Sequence, residues 1–395
     1  MTETYDAIVV GAGVIGASTA FHLAKLGGLK VCVVERGAVC AGGTAKSCAI
    51  VRSHYSVSTN TELTVKSIEM FGHFKDWLED DEAESGFVNS GYIIVAPEGD
   101  FADKLADNLA MQAGVGADTF QISREEALER HPLLALDDAK TIGYEPDSGY
   151  ADPYLTTSSF INAARRKGVT IKTDCAANSL IIEGGQVKGV ETADGMLYAD
   201  TVVVAIGPWS RTLTDPAGID IPLDVSRHTV LTLRAGAAYD RKLPIVKDLS
   251  TENKMYFRPA SGGVVLVGTG DHGDPITDPD AMDENIGDDF VLHQGGQVAR
   301  RMPSFADAAL TASWVGAYDI TPDWNPVLGF VPDVGGLMVN FGFSGHGFKL
   351  APAIGKVQAQ TVLGQATDVD ISGYGLDRFA AGRLLTGAYG IGSIS

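Results

Sequence analysis

Three glycines near the N-terminus, Gly11, Gly13 and Gly16, stand at G-x-G-x-x-G spacing directly after an apolar run, residues 7–10. Such spacing makes a phosphate cradle. The first glycine turns the chain tightly, the second lets the backbone approach a pyrophosphate, and the third lets helix and strand pack closely. Val14 and Ile15 then open a helix whose free N–H groups and positive dipole end face the phosphates. A second apolar run, residues 30–34, ends in Glu35. An acid at the end of the second strand accepts hydrogen bonds from ribose hydroxyls. Far along the chain, residues 344–349 (Ser-Gly-His-Gly-Phe-Lys) again lead through glycines into a helix. Between the two turns, the apolar run 202–206 stops at Gly207, which suits close approach by a flat ligand. Three approaches to one ligand indicate a long dinucleotide with a bulky head, and FAD fits better than NAD. The helix after Gly347 places partial positive charge near a flavin carbonyl, which stabilises a reduced anionic flavin.

These groups need a scaffold. Residues 17–25 are predicted as the helix between the first two strands, ended by Gly27-Gly28. A glycine-rich loop follows from Arg36 to Thr44, and residues 45–56 bring small and hydroxyl side chains that can pack against a second ligand segment. Arg52, His54 and Tyr55 add polar groups there. One long helix is predicted over 60–79. The strand 90–96 with charged helices at 100–113 and 123–130 reads as an inserted α+β unit. Asp152 is a candidate cap for a helix over 156–167. Strands at 169–173, 179–183, 187–192 and 201–206 return the chain to the nucleotide domain, with hairpins at Gly184-Gly185 and Asp194-Gly195. Residues 227–233, 254–258 and 263–270 are predicted as antiparallel strands of a second sheet. The stretch 314–329 reads as a loop, 336–342 as the last strand and 353–363 as the last helix. The expected fold is α/β (α+β). A Rossmann-like FAD domain is built from 1–84, 146–215 and 318–386, and an antiparallel-sheet substrate domain from 85–145 and 216–317, with a flexible tail at 387–395.

The chain has 395 residues and a formal net charge of −20. A strongly acidic chain repels nucleic acid and anionic lipid, so neither is expected as a partner. Four cysteines without a C-x-x-C pair indicate free thiols in a reducing compartment. No His/Cys cluster has ligand spacing, so no metal is expected. Glu3 and Asp6 stand where a secretory signal would be basic, and no apolar run is long enough to span a bilayer. The expectation is a soluble, cytoplasmic protein without membrane insertion.

Several segments together resemble one family. They are residues 11–16, Glu35, Gly43-Thr44, residues 50–55 (Ile-Val-Arg-Ser-His-Tyr), 256–259 (Tyr-Phe-Arg-Pro), 321–323 (Thr-Pro-Asp) and 343–349. The chain is similar over most of its length to the D-amino acid oxidase superfamily. Within it the likeness is to monomeric sarcosine oxidase, the β subunit of heterotetrameric sarcosine oxidase, and dimethylglycine dehydrogenase. The resemblance implies a glutathione-reductase-type FAD domain with an antiparallel-sheet substrate domain. It implies oxidation of the C–N bond of an amino acid or N-methyl amino acid, by hydride transfer to flavin and hydrolysis of the imine. By the same resemblance Arg52 and Lys349 match a clamp for the substrate carboxylate, where a guanidinium grips bidentately and an ammonium adds a point charge. Tyr55 and Tyr256 would line the amine pocket. His346 would sit near the flavin, either as a catalytic group or only shaping the turn. Ala177 falls where the family's backbone contacts adenine, and Ala205 to Gly207 match the strand end near the cofactor. Arg36, Gly43, Thr44, Ser47, Gly345, Gly347 and Phe348 complete the expected cofactor set. The Asp271-His272 pair can orient substrate or take a proton, or can be only a polar turn.

Departures from the family pattern carry expectations too. Gly316 stands where the monomeric oxidase has its flavin-linking cysteine, and Lys46 where dimethylglycine dehydrogenases have a histidine. Non-covalent FAD is therefore expected. Residues 264–268 lack the lysine that helps the monomeric oxidase activate oxygen, which favours a dehydrogenase over an oxidase. The substrate is then a small carboxylate-bearing amine, and the electron acceptor stays open. So do a hydroxy-acid dehydrogenase of the same superfamily, a homo-oligomer, and a flavoprotein subunit that works only with a partner subunit.

Overall fold

The runs Ala7–Val10, Val31–Val34 and Val202–Val204 are buried along their whole length. Continuous burial is what strands of a parallel sheet covered on both faces require. The computed structural model describes residues 3–270 and 273–392. In it these runs are neighbours in a six-stranded sheet. The order is Thr170–Lys172, Val31–Val34, Ala7–Val10, Val202–Val204, Leu337–Phe341, Val327–Phe330, with only the last pair antiparallel. The helix Val14–Gly27 leaves the central strand, and Gly347–Val362 and Pro153–Arg166 pack against it. Phe21, Phe160, Val9 and Met338 share the core beneath them. Gly16 permits the contact, because a Cβ there would collide with the Gly11 carbonyl oxygen.

The second sheet is almost entirely antiparallel. Asp224–Arg234 pairs with Val264–Gly268 on one side and with Ala309–Ile320 on the other. Tyr256–Ala260 and Ile245–Asp248 extend it. Tyr92–Pro97 then joins in parallel, followed by Ala139–Glu145. The inserted unit expected near residue 90 is thus part of this sheet. A separate four-stranded sheet holds Ala177–Glu183, Gln186–Thr192, Gly195–Tyr198 and Glu3–Thr4, with both expected hairpins in place. Ile50–Val51 pairs with Gly149–Tyr150, which fixes the chain just before Arg52.

Three expectations are corrected. Residues 314–329 are not a loop: Ala309–Ile320 is a long strand and Val327–Phe330 a shorter one. The helix over 60–79 is two, Ser58–Gly72 and Phe74–Leu78, broken where His73 leaves helical geometry at φ −121°. The last helix begins at Gly347, with Pro352 inside it. An interior proline forfeits one backbone hydrogen bond and crowds the carbonyl one turn back; this helix is nonetheless packed closely on Val14–Gly27. Towards the C-terminus, Leu385 N–H donates to Asp323 at 3.0 Å, and Tyr389 Oη lies 3.1 Å from His54 Nε2. Residues 393–395 lie outside the described ones. No helix among the described residues is long and apolar enough to cross a membrane.

Candidate functional site

A cavity of about 750 Å³ is lined from both large sheets. At one end stands the N-terminal glycine turn. Gly11 has φ +107°, and a Cβ there would meet the carbonyl oxygen of Ala205. Gly11, Gly13, Val14 and Ile15 line the cavity, whereas Gly16 faces inward to the sheet. Glu35 is fixed beside the turn: its carboxylate accepts the Ala12 N–H at 2.8 Å and the Gly37 N–H at 2.9 Å. Thr44 crosses the helix start, its hydroxyl accepting the Val14 N–H at 3.1 Å. Ser47 accepts the Ala49 N–H at 3.0 Å. Gly43, Thr44, Ser47, Ala177, Ala205 and Gly207 all reach the cavity wall. Both polar atoms of the Asn340 amide are buried at this wall without a hydrogen-bond partner among the described residues. A polar ligand is the natural partner for such an amide, and the glycine turn and acid fit the pyrophosphate and ribose of FAD.

Arg36 lines the cavity, and its guanidinium forms a two-bonded pair with Asp280 at 2.8 and 2.7 Å. It also stacks 4.4 Å from the Trp209 ring, whose Nε1 donates to the same carboxylate at 2.9 Å. Arg36 thus fastens the loop around Asp280 to the cavity rim.

The other end of the cavity is cationic. Arg52 and Lys349 both line it and are only 8% and 6% exposed. Arg52 Cζ stands 4.5 Å and Lys349 Nζ 6.0 Å from the centroid of one ring, Tyr55. Arg52 Nη1 is buried without a hydrogen-bond partner among the described residues. Burial, and then the Arg52 charge, holds the Lys349 pKa well below that of an ordinary lysine. Tyr55 itself does not line the pocket. It is fully buried beneath the two cations, edge-on to His346 at 5.1 Å. His54 also faces away, toward Gln112 and Tyr389. Burial and the nearby Arg52 charge push its pKa down to about 3. Glu145 completes this back layer, fully buried and accepting from Ser148 at 2.6 Å and the Ser53 N–H at 3.0 Å.

Tyr256 lines the cavity from the antiparallel sheet, its hydroxyl 3.1 Å from Cys48 Sγ. His346, Gly347, Phe348 and Lys349 reach it from the start of the last helix. Gly345 takes φ +78°, and a side chain there would run into the Tyr318 ring. His272, with Asp271, lies outside the described residues. The strand Val264–Gly268 carries no charged side chain. Gly316 and Lys46 are neighbours: a Cβ at 316 would come 2.9 Å from the Lys46 Cβ. Neither is a side chain that links to flavin.

Several wall residues escaped the sequence reading. Lys247 and Tyr92 face the cavity, as does His228, stacked on Tyr318 at 3.6 Å between centroids. Asp319 accepts the Gly342 N–H at 2.7 Å, and burial pushes its pKa up to about 6. Lys247 lies beside Asp248 in a four-residue strand, a pattern that carried no signal for it.

Comparison with known proteins agrees with this geometry. The chain is 30% identical over 378 residues to "Uncharacterized oxidoreductase YurR" of Bacillus subtilis (strain 168), covering 93% of this chain and 97% of that one. It is 26% identical over 391 residues to sarcosine oxidase subunit beta of Arthrobacter sp, covering 97% and 93%. Among solved structures, L-proline dehydrogenase from P. horikoshii superposes with a TM-score of 0.90 at 25% identity, covering 98% of this chain and all of that one. The family described as DAO, FAD dependent oxidoreductase, matches residues 6–361. A glycine-turn dinucleotide site, an antiparallel-sheet wall and a family match over most of the length agree: the chain belongs to the DAO family of FAD-dependent oxidoreductases.

Proposed function

We propose that this protein oxidises the C–N bond of a carboxylate-bearing amine, an amino acid or N-methyl amino acid, with FAD held non-covalently. The observation that carries the reading is the pair of buried cations, Arg52 and Lys349, gathered over one Tyr55 ring at the end of the cavity. Sarcosine and L-proline, for which two of the relatives are named, both carry a carboxylate beside the amine.

When bound, FAD supplies the two-electron acceptor for a hydride from the carbon next to nitrogen. Arg52 and Lys349 hold the substrate carboxylate and so orient that carbon. Their positive charge and the closed wall favour the neutral amine over the ammonium, which leaves a nitrogen lone pair to assist. Tyr92 and Tyr256 occupy wall that water would otherwise fill. The Tyr256 hydroxyl is kept protonated by burial, so its part is hydrogen bonding and not proton removal. The substrate loses a hydride from carbon and a proton from nitrogen, and the imine takes up water to give a carbonyl compound and an amine.

The bare strand Val264–Gly268 favours an electron acceptor other than oxygen. The relative named subunit beta supports a second reading, in which a partner subunit takes the electrons onward. Anaerobic bleaching of the flavin band near ~450 nm by a panel of amino, N-methylamino and hydroxy acids tests the proposal, followed by admission of air. Bleaching by amines with slow reoxidation is expected. Bleaching by hydroxy acids alone overturns the amine assignment, and fast reoxidation overturns the dehydrogenase assignment.

A further inference from the structure

One stretch of the cavity wall is also outer surface. Pro279, Asp280, Met282 and Glu284 line the cavity, yet the side chains of Asp280 and Glu284 are 56% and 71% exposed. The segment 278–285 therefore stands between the cavity and water. Between Asp274–Pro275 and the helix Asp288–Arg301 its only regular element is the turn Pro279–Ala281. Among the described residues, none from 278 to 285 belongs to a hydrophobic cluster. Polar side chains hold it instead, at three points. Asp280 accepts both bonds of Arg36 and the Nε1–H of Trp209. Lys46 stands 3.8 Å from Glu284. Arg227 donates to the carbonyls of Asp283, at 2.6 Å, and Asn285. A segment with few apolar contacts and solvent-exposed polar bonds opens ahead of the sheets around it.

The position of the anchors gives this opening a purpose. Arg36 follows Glu35, Lys46 lies between Thr44 and Ser47, and Trp209 is two residues beyond Gly207. Each anchor thus belongs to a loop that presents one of the expected cofactor residues to the cavity. Closing the segment fixes those loops, and a dinucleotide seated among them fixes the segment in turn; such coupling is reciprocal. Charge acts in the same direction. Asp278, Asp280, Asp283 and Glu284 would repel a pyrophosphate if left bare, and the pairs with Arg36 and Lys46 offset two of them.

We infer that the segment 278–285 is the gate by which FAD enters and leaves the cavity, and that Asp280 is its latch, a positioning residue that acts through Arg36 and Trp209. This rests on the non-covalent reading of FAD above.

The test uses the purified FAD-loaded protein, wild type and the variants Asp280→Asn and Asp280→Glu. Asp137→Asn, which removes an exposed ion pair with Arg124 elsewhere on the surface, is the control for lost charge. Release of FAD on dilution is followed by flavin fluorescence at low and high salt, with melting temperature alongside. Cleavage after Glu284 by a glutamate-specific protease is timed with and without excess FAD. Asp280→Asn is expected to release FAD at least ~5-fold faster, the loss of a two-bonded pair and an indole bond at a half-exposed site. Asp280→Glu should restore most of the retention, and the control should match wild type. Salt should speed release more in wild type than in Asp280→Asn, because it screens the exposed pair. Excess FAD should slow the cleavage. Release from Asp280→Asn within twofold of wild type overturns the gate. So does an equal salt dependence in the two proteins, or cleavage indifferent to FAD. A lower melting temperature with unchanged release makes Asp280 a structural residue only, which also overturns it. If acid leaves the flavin on the protein, the non-covalent reading falls and this inference with it. If acid frees the flavin while the variants release it like wild type, the gate alone has been misread.

Discussion

Replacing Lys349 by methionine should weaken carboxylate binding and stabilise the ligand-free protein at the same time. The two cations over Tyr55 lie no more than about 10.5 Å apart, given their distances of 4.5 and 6.0 Å from its centroid. At an effective dielectric of about 20 their repulsion is then at least ~1.6 kcal/mol. Burial adds a desolvation cost, and together they hold the Lys349 pKa well below the usual lysine range. Removing the ammonium relieves both, so the melting temperature without ligand should rise by a few degrees, about 1–2 kcal/mol. The same change deletes a charge-assisted hydrogen bond of ~1.5–3 kcal/mol to a bound carboxylate, about 10- to 150-fold in Kd. Acetate, titrated by its effect on the flavin spectrum, isolates this contact because it has no amine to titrate. The pH dependence carries the sign. Lys349 is neutral above its lowered pKa, and binding an anion returns its proton. Acetate affinity should therefore fall as pH rises through that value in wild type and stay flat in Lys349→Met. For stability, the unfolded chain binds this proton up to the ordinary lysine pKa and the folded chain does not. Wild-type stability therefore rises with pH across that window, and the variant lacks the rise. Acetate binding within twofold of wild type, or a fall in melting temperature, would refute the clamp.

Denaturing the protein in acid should leave all of the flavin in the supernatant, because Gly316 and Lys46 are not flavin-linking side chains; flavin that stays with the pellet overturns the non-covalent assignment. Gly16→Ala should abolish flavin content and lower the soluble yield, since the new Cβ would strike the Gly11 carbonyl; a normal flavin-to-protein ratio contradicts that packing. Asp319, whose pKa burial raises to about 6, keeps a proton that the unfolded chain releases near pH ~4. Wild type should thus lose stability relative to Asp319→Asn as pH rises through that interval, by up to ~3 kcal/mol, and a pH-independent difference in melting temperature would count against it.

What the sequence disclosed follows the kind of group each part of the site uses. The dinucleotide end is made by backbone, so glycine spacing and one acid suffice to reveal it, and three strands of the sheet beneath it, Ala7–Val10, Val31–Val34 and Val202–Val204, are uninterrupted apolar runs. The substrate end is made by side chains from separated elements, and there the local pattern misleads. Residues 314–320 of the strand Ala309–Ile320 read as part of a loop because Gly316, Ala317, Tyr318 and Asp319 line the cavity, which replaces the apolar alternation that marks a strand. Arg36 follows Glu35 and joins the expected cofactor set, yet its ion-pair partner Asp280 lies 244 residues away. Tyr55 is adjacent to the clamp in sequence, but it is fully buried beneath Arg52 and Lys349. Lys247 is the converse, a charge beside Asp248 in a short strand that reaches the cavity wall. Tyr55 aside, the broken local rule marks a residue facing the cavity or fastening its rim, where function overrides the pattern that folding alone would select. Departures from a strand or helix pattern in such a chain are therefore better pointers to substrate chemistry than the motifs that conform.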